Sequence, residues 1–330
     1  MLKILQFLFP LFRKEGAGEI FSKMAKTKLF PIIFLFFGLL IGLISQWPDN
    51  NMHFIACNVG QGDAILLTSG QAQVLIDGGP NNQVEQCLSE HLPFWDRTIE
   101  LVVATHPDKD HIAGLVKVIE NYNVMSFVSI NKANDTTYFN NLRSEIQKKG
   151  IKVHLAQKGD QIIVGKIKLN LLSPAKEDRS YLVWSASGAD SASDPADKQI
   201  LGSRASSSPP KADNSSNDDS VVMRASFGNF DALLTGDITS AKEKELESQH
   251  LSDIEVLKVS HHGSKYATSQ EFLDKLRPKL AVIAVGKNQW GHPAAEVLER
   301  LRNLEIKILR TDTDGEIEVV SDGQGWQIKN

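Results

Sequence analysis

Cysteine is almost absent from this 330-residue chain, which has only Cys57 and Cys87. Two cysteines exclude a disulfide framework of the kind that holds small secreted domains together, and they lack the paired spacing of a zinc ribbon. Both read as structural residues that say little about redox compartment. Bulk positive charge is missing as well. With 36 Lys and Arg against 40 Asp and Glu, the formal net charge is -4, which excludes wrapping of nucleic acid by overall electrostatics. Only a local basic strip could make such contact. No segment repeats at a fixed period, and long apolar runs are confined to one place near the N-terminus. What remains is ordinary globular composition, 42% hydrophobic and 23% charged, in a length that suits one large domain plus an appendage.

The one long apolar run is LFPIIFLFFGLLIGLISQW, residues 29–47, without a formal charge. Its length matches the ~20 residues that cross a hydrocarbon core as a helix, so it reads as a single transmembrane anchor. No small-x-small cleavage site follows it, and residues 1–28 are long for a signal n-region, which favours an uncleaved anchor. Lys3, Arg13, Lys14, Lys23, Lys26 and Lys28 outnumber Glu15 and Glu19 in that basic segment, which predicts a cytoplasmic N-terminus at the cell membrane and an extracytoplasmic remainder.

After Pro48 the pattern changes to short apolar runs punctuated by Gly and Asp, alternating with helical periodicity. Residues 53–79 suit strands and a hairpin turning at Ser69-Gly70, ELVVAT (100–105) a buried strand, and HIAGLVKVIENY a helix. NVMSFVSI reads as a further strand, 136–149 as a polar helix, and AKEKELESQ as an exposed one. Residues 185–219, rich in Ser, Ala, Asp and Pro, bury too little surface to offset their ordering entropy and read as a flexible insertion. The whole of 51–330 is then one layered α/β domain with two mostly β halves.

Three segments carry chemistry. THPDKDH (105–111) puts His106, Asp108, Asp110 and His111 at a strand end, where side chains fan toward a common point, and imidazoles with carboxylates suit Zn²⁺, Mn²⁺ or Fe²⁺. Helix capping would explain an Asp there but not two histidines. LLTGD delivers Asp237 just past a Gly turn. SHHGS places His261 and His262 beyond the strand VLKV, pointing in different directions, so that one binds metal and the other meets substrate or supports the ligands, with His261 preferred as the ligand.

Together with NVGQGDAILL (58–67), VLIDGG (74–79), DSVVM (219–223), GHP (291–293) and RTDTDGEIEV (310–319), these segments resemble the metallo-β-lactamase superfamily. Within it they resemble the soluble hydrolase domain of the ComEC/Rec2 competence proteins, over roughly 53–322. The resemblance implies a metallo-β-lactamase-type four-layer αβ/βα sandwich with two divalent ions, Zn or Mn, at its edge. His106 and Asp108 would bind the first ion, Asp110, His111 and one of His261 and His262 the second, and Asp237 would bridge them. Asp77 would support the histidines from behind. The superfamily's usual further His before the bridging Asp is missing, since the only intervening one, His154, sits in an apparent strand. Asn217, Asp218 or Ser220 falls there instead, and Asp218 is the candidate ligand; more oxygen in the donor set makes Mn²⁺ an alternative to Zn²⁺.

The resemblance further implies a DNA nuclease or other phosphodiesterase, in which two ions about 3.5–4 Å apart lower the pKa of a shared water. Asp110 and Asp237 would be catalytic, and His292 would contact a phosphate oxygen or protonate the leaving group. Ser264, Lys265 and the backbone N–H groups of the NVGQGD loop would hold phosphate. The competence proteins' multi-span channel is not in this chain, so a partner channel is implied if the role is DNA uptake. Two other functions use the same features: hydrolysis of another extracellular ester, such as a phosphocholine or lactone, and a non-catalytic module that presents DNA to that channel. β-Lactamase activity is not expected, because Asp237 stands where those enzymes generally have Cys.

Overall fold

The computed structural model describes residues 46–330, apart from 133, 176–216, 247–250, 252–253 and 330, together with 35–38 and 42. The chain divides into two compact units, Met1–Trp47 and Pro48–Asn330. In the first, residues 35–38 are helical with Leu35, Phe36 and Phe37 exposed. Among the described residues no helix is long and apolar enough to cross a membrane. Most of the 29–47 run and all of 1–28 lie outside the described residues.

The second unit is built on two sheets. The first sheet contains β1 (Met52–Ala56), β2 (Ile65–Ser69), β3 (Ala72–Ile76), β4 (Thr98–Val103), β5 (Asn123–Ser129) and β6 (Lys152–Leu155). The closing hairpin, β14 (Ile317–Ser321) and β15 (Trp326–Lys329), completes it in the order β15-β14-β1-β2-β3-β4-β5-β6. The second sheet contains β7 (Gln161–Val164), β8 (Ile167–Ser173), β9 (Val222–Phe227), β10 (Phe230–Leu234), β11 (Val256–Lys258), β12 (Leu280–Ile283) and β13 (Lys307–Arg310), running β13-β12-β11-β10-β9-β8-β7.

Side-chain alternation along these strands makes the layers. In β1, Met52, Phe54 and Ala56 join Val74, Ile76, Leu101, Leu169, Met223 and Leu234 in a core between the sheets. Their neighbours Ile55 and Leu75 face the other way, onto α1 (Gln83–His91), α3 (Leu115–Asn121) and α4 (Thr137–Lys149) through Leu88, Val118 and Leu142. Likewise Leu233, Leu257 and Ala281 of the second sheet pack on α5 (Ser240–Leu246), α6 (Gln270–Leu276) and α7 (Ala295–Asn303) through Leu246, Phe272 and Val297. The result is an αβ/βα sandwich with two sheets, as the family resemblance implies.

Some local expectations change. The helix expected from His111 onward breaks into α2 (Lys109–Ile112) and α3. At the break, a Cβ on Gly114 would lie 2.0 Å from the Gly78 carbonyl oxygen, so the backbone there packs where no side chain fits. The helix expected to be exposed, α5, buries Glu243 completely, and its carboxylate accepts the backbone N–H groups of Thr268 and of Ser269, the latter at 2.9 Å. Most of the 185–219 insertion lies outside the described residues, but Asn217–Asp219 forms a 3-10 turn, so regular structure begins before β9. Cys57 and Cys87 form a disulfide, tying the end of β1 to α1.

β3, β4 and β5 are mutually parallel, and so are β10, β11 and β12. Their C-terminal ends release Asp77, Thr105–His106, Asp237 and His261–His262 at the same edge of the sandwich, where an open α/β sheet presents its functional loops.

Candidate metal centre

Asp77 follows β3 in the left-handed region, at φ 59°, with its N–H on the Val103 carbonyl. From there Oδ1 accepts the Thr105 N–H at 2.8 Å, and Oδ2 accepts the Thr105 hydroxyl at 2.7 Å and His111 Nδ1 at 2.8 Å. The Thr105 oxygen in turn lies 3.1 Å from His106 Nδ1. A carboxylate can only accept, so the proton directions are set: His111 carries its proton on Nδ1, and the Thr105 hydroxyl, already donating to Asp77, accepts from His106 Nδ1. Both Nε2 atoms then aim away from Asp77 with no hydrogen-bonding partner.

His262 reaches the same point from the second sheet. Ser260 fixes its loop through a 2.6 Å hydrogen bond to the Ile238 carbonyl. His261 and His262 then take φ values of 49° and 53°, a conformation that costs about 1–3 kcal/mol per non-glycine residue and is held here by burial of Ser260, His262 and Gly263. His262 Nδ1 donates to the Ala284 carbonyl at 2.8 Å, which directs Nε2 to within 3.4 Å of Asp110 Oδ2 and 3.5 Å of Asp237 Oδ2. His111 Nε2 lies 3.4 Å from Asp237 Oδ2.

Two ligand groups result, His106 with His111 and Asp237, and Asp110 with His111 and His262, each with its donor atoms within 4.8 Å of one another. His106, His111 and His262 are all at most 1% exposed, yet His106 Nε2, His111 Nε2, His262 Nε2 and Asp237 Oδ1 have no hydrogen bond. Buried polar atoms are rarely left so, and convergent imidazole and carboxylate donors fit a divalent cation.

Burial, reinforced by His111, holds the His106 imidazole neutral, with a pKa of about 3. Burial opposes charge on His262 too, but Asp237 and Asp63 outweigh it and raise its pKa to about 9. His111 is raised well above the ordinary imidazole value in the same way, against burial, by Asp237 and Asp77. Asp237 and Asp110 are lowered despite burial, Asp237 chiefly by the charges of His262 and His111, and Asp110 by the nearby His262 and His111 imidazoles.

The other expected residues are placed as follows. Asp108 lies at the mouth, 40% exposed, with Oδ2 3.8 Å from His106 Nε2. The preference for His261 as the ligand is reversed by geometry. His261 is half-buried, sits at the rim with Nε2 3.8 Å from Asp237 Oδ2, and faces the His292 ring at 5.5 Å between centroids. His292 Nδ1 has no hydrogen bond, and burial, followed by the charge of His261, lowers its basicity. Asp218 is turned away, its two oxygens accepting the Thr239 N–H at 2.8 Å and hydroxyl at 3.1 Å, so it serves the turn after Asp237. Ser264 is buried in its own turn, accepting the Tyr266 N–H at 3.4 Å, while exposed Lys265 lies over the Tyr266 ring. His154 pairs with Asp160 at 3.0 Å, away from the centre, in the strand read from the sequence.

Sequence reasoning missed Thr105, Asp63 and Lys258. Lys258 is 1% exposed and paired with Asp63, which is 2% exposed. The signal was present in VLKV, where a Lys interrupts an otherwise apolar buried strand, since Lys is almost never fully buried unless paired.

The chain is 27% identical over 288 residues to ComE operon protein 3 of Bacillus subtilis, covering 79% of this chain and 32% of that protein. It is 27% identical over 295 residues to Recombination protein 2 of Haemophilus influenzae, covering 88% and 31%. The chain thus spans about a third of the length of these relatives. Among solved structures, the metallo-beta-lactamase fold protein YhfI of Bacillus subtilis matches in fold, with TM-score 0.50 and 10% identity over 81% of this chain and 99% of that one. The sequence resemblance to ComEC/Rec2 proteins is therefore borne out, and with residues 57–287 matching the family itself, the chain belongs to the metallo-beta-lactamase superfamily.

Proposed function

We propose that this chain is a membrane-anchored, metal-dependent phosphodiesterase that cuts DNA outside the cytoplasm. The observation that carries the metal-dependent chemistry is the convergence of His106, His111, His262 and Asp237, buried and with unpartnered donor atoms, on one point between the sheets. DNA as the substrate rests on the relatives, named as competence and recombination proteins. An extracytoplasmic domain is supported by the Cys57–Cys87 disulfide, since such bonds persist in oxidising compartments, and by the charge bias before residues 29–47.

His106, Asp108 and Asp237 would hold one ion, and Asp110, His111, His262 and Asp237 the other, Zn or Mn. Such ions, when bound, supply Lewis-acid charge to the phosphoryl oxygens and bring the pKa of a water near neutrality. Asp77 acts through Thr105 and His111 to keep both imidazole lone pairs facing inward. Asp110, held ionised by His262, accepts the proton of the attacking water. His292, with an unpartnered Nδ1 beside His261, would contact a phosphate oxygen or give a proton to the leaving oxygen. Lys265, three residues past His262, and the Gly60–Gly62 stretch, held beside Asp110 by the Asp63 N–H, would meet the flanking phosphates.

The test is cleavage of labelled single-stranded and duplex DNA by the full chain in detergent, with Mn²⁺ or Zn²⁺, beside an Asp110→Ala/His111→Ala variant. Metal-dependent cleavage by the native chain, lost in the variant, is the expected result. Ion binding without cleavage of DNA would overturn the nuclease reading. Turnover of phosphocholine or lactone esters would then indicate a different ester substrate, and DNA binding without turnover a presenting module.

A further inference from the structure

Beneath the centre lies a third ligand group, Asp63, Asp237 and His262, whose donor atoms also fall within 4.8 Å of one another. All three residues are at most 3% exposed, and Asp63 Oδ1, Asp237 Oδ1 and His262 Nε2 have no hydrogen bond. Although His262 Nδ1 comes within 3.3 Å of Asp63 Oδ1, its proton is directed at the Ala284 carbonyl. His262 Nε2 belongs to the second proposed ion, so the donors this group adds are the buried carboxylates of Asp63 and Asp237.

It is nevertheless accompanied by a cation of its own. The Lys258 ammonium is paired with Asp63 Oδ2, lies 3.9 Å from Asp237 Oδ1, and is 3.5 Å from the Gly236 carbonyl. Asp237 is thereby divided, with Oδ2 turned toward His111, His261 and His262, and Oδ1 toward the lysine. The approach of the Asp63 loop is built for this, because a Cβ on Gly62 would lie 2.2 Å from the Asp110 carbonyl oxygen and push the loop away. Asp63 N–H bonds that same carbonyl at 3.1 Å.

We infer that the Lys258 ammonium is a built-in cation that occupies the oxygen-lined place between Asp63, Asp237 Oδ1 and the Gly236 carbonyl, limiting the centre to two metal ions and fixing which oxygen of Asp237 faces them. Lys258 is a positioning residue, since it touches Asp63 and Asp237 rather than the reacting atoms. The inference rests on the reading of the centre above as a divalent-ion site.

The experiment measures bound Mn²⁺ per chain, by calorimetry and by metal analysis after gel filtration, in the native chain, Lys258→Met and Lys258→Met/Asp63→Asn. Methionine keeps the length of the lysine stem and removes the charge, while the double variant removes both partners of the pair and so folds without a lone buried charge. The expected result is one more equivalent of Mn²⁺ in Lys258→Met than in the native chain, and a return to the native number in the double variant. An unchanged stoichiometry in Lys258→Met, with its thermal unfolding showing a folded chain, would overturn the inference and leave Lys258 as a partner for Asp63 only. If Lys258→Met does not fold while the double variant does, Asp63→Asn alone decides: the inference expects displacement of the ammonium toward Asp237 and at least a tenfold weaker Mn²⁺ affinity, and native affinity would overturn it. A native chain that binds no Mn²⁺ or Zn²⁺ at all would sink the metal-dependent function itself, separately from any difference between the variants.

Discussion

Replacing Asp77 with Asn is the most telling perturbation of the centre, because it changes no volume and touches neither ion. Asn tolerates the left-handed backbone that Asp77 adopts, so the substitution adds little strain at φ 59°. The carboxylate now accepts three hydrogen bonds, from Thr105 N–H, the Thr105 hydroxyl and His111 Nδ1. An amide with its oxygen kept on Thr105 N–H must present NH₂ to the other two. The Thr105 hydroxyl then accepts and turns its own proton to His106 Nδ1, and His111 Nδ1 becomes an acceptor. Both imidazoles are driven to the tautomer with a proton on Nε2, the atom needed for the ion. Turning the amide over instead sets NH₂ against the Thr105 N–H. Support groups of this kind are typically worth 10–100-fold in metal affinity, or about 1.4–2.7 kcal/mol. Since one carboxylate here controls two ligands, the upper end is expected. Thr105→Val should give a smaller loss, because it releases His106 and leaves the Asp77–His111 bond at 2.8 Å in place. Competition against a fluorescent chelator gives the affinities, with melting of the metal-free chains as a control for folding. An Asp77→Asn chain that binds Mn²⁺ or Zn²⁺ within threefold of the native value would refute the tautomer reasoning.

Three further outcomes follow from the same geometry. His262→Ala should abolish binding of at least one ion, whereas His261→Ala, at the rim, should keep both; equal loss of metal in both, by calorimetry, would restore His261 as a ligand. Metal-free His262, with a pKa of about 9, and His111, raised well above its ordinary value, each hold a proton that an ion must displace, while His106, at about 3, holds none. Lower pH therefore weakens binding, and log affinity should rise by about one to two per pH unit between pH 6.5 and 8.5, so a flat profile by calorimetry counts against these protonation states. Reducing Cys57–Cys87, which closes a 30-residue separation, should lower unfolding stability by about 3–4 kcal/mol, read from denaturant midpoints of the reduced and oxidised chains.

What was legible in the sequence was whatever repeats at short range. The apolar strand runs of 53–79, the polar helix near 136–149, and the THPDKDH and SHHGS clusters all declare themselves within a few residues. Relations that exist only after folding were hidden. The Cys57–Cys87 pair depends on α1 packing on β1, and nothing in the spacing of the two residues reveals it. The choice between His261 and His262 depends on the Ala284 carbonyl, 22 residues away, which alone decides which ring turns inward. Asp218 looked like a ligand because it falls where a histidine was sought, yet the Thr239 N–H and hydroxyl are closer partners for a short carboxylate. Lys258 was visible as a misfit in an apolar strand, but its meaning needed Asp63, brought from another sheet.

Charge within the centre argues for a pair of ions rather than one. Five carboxylates, those of Asp63, Asp77, Asp108, Asp110 and Asp237, surround four imidazoles and the single ammonium of Lys258. With neutral imidazoles the balance is four negative charges, of which all but that of Asp108 belong to groups mostly removed from water. Uncompensated buried charge costs several kcal/mol per group, so a metal-free chain lowers the imbalance by keeping the protons on His111 and His262. One divalent ion that displaces both protons leaves the imbalance where it was, at two negative charges, and the second ion then removes it without displacing any. The first ion therefore carries the whole proton cost and the second none. The two should bind as a cooperative pair, with intermediate occupancy most suppressed at low pH, where that cost is greatest.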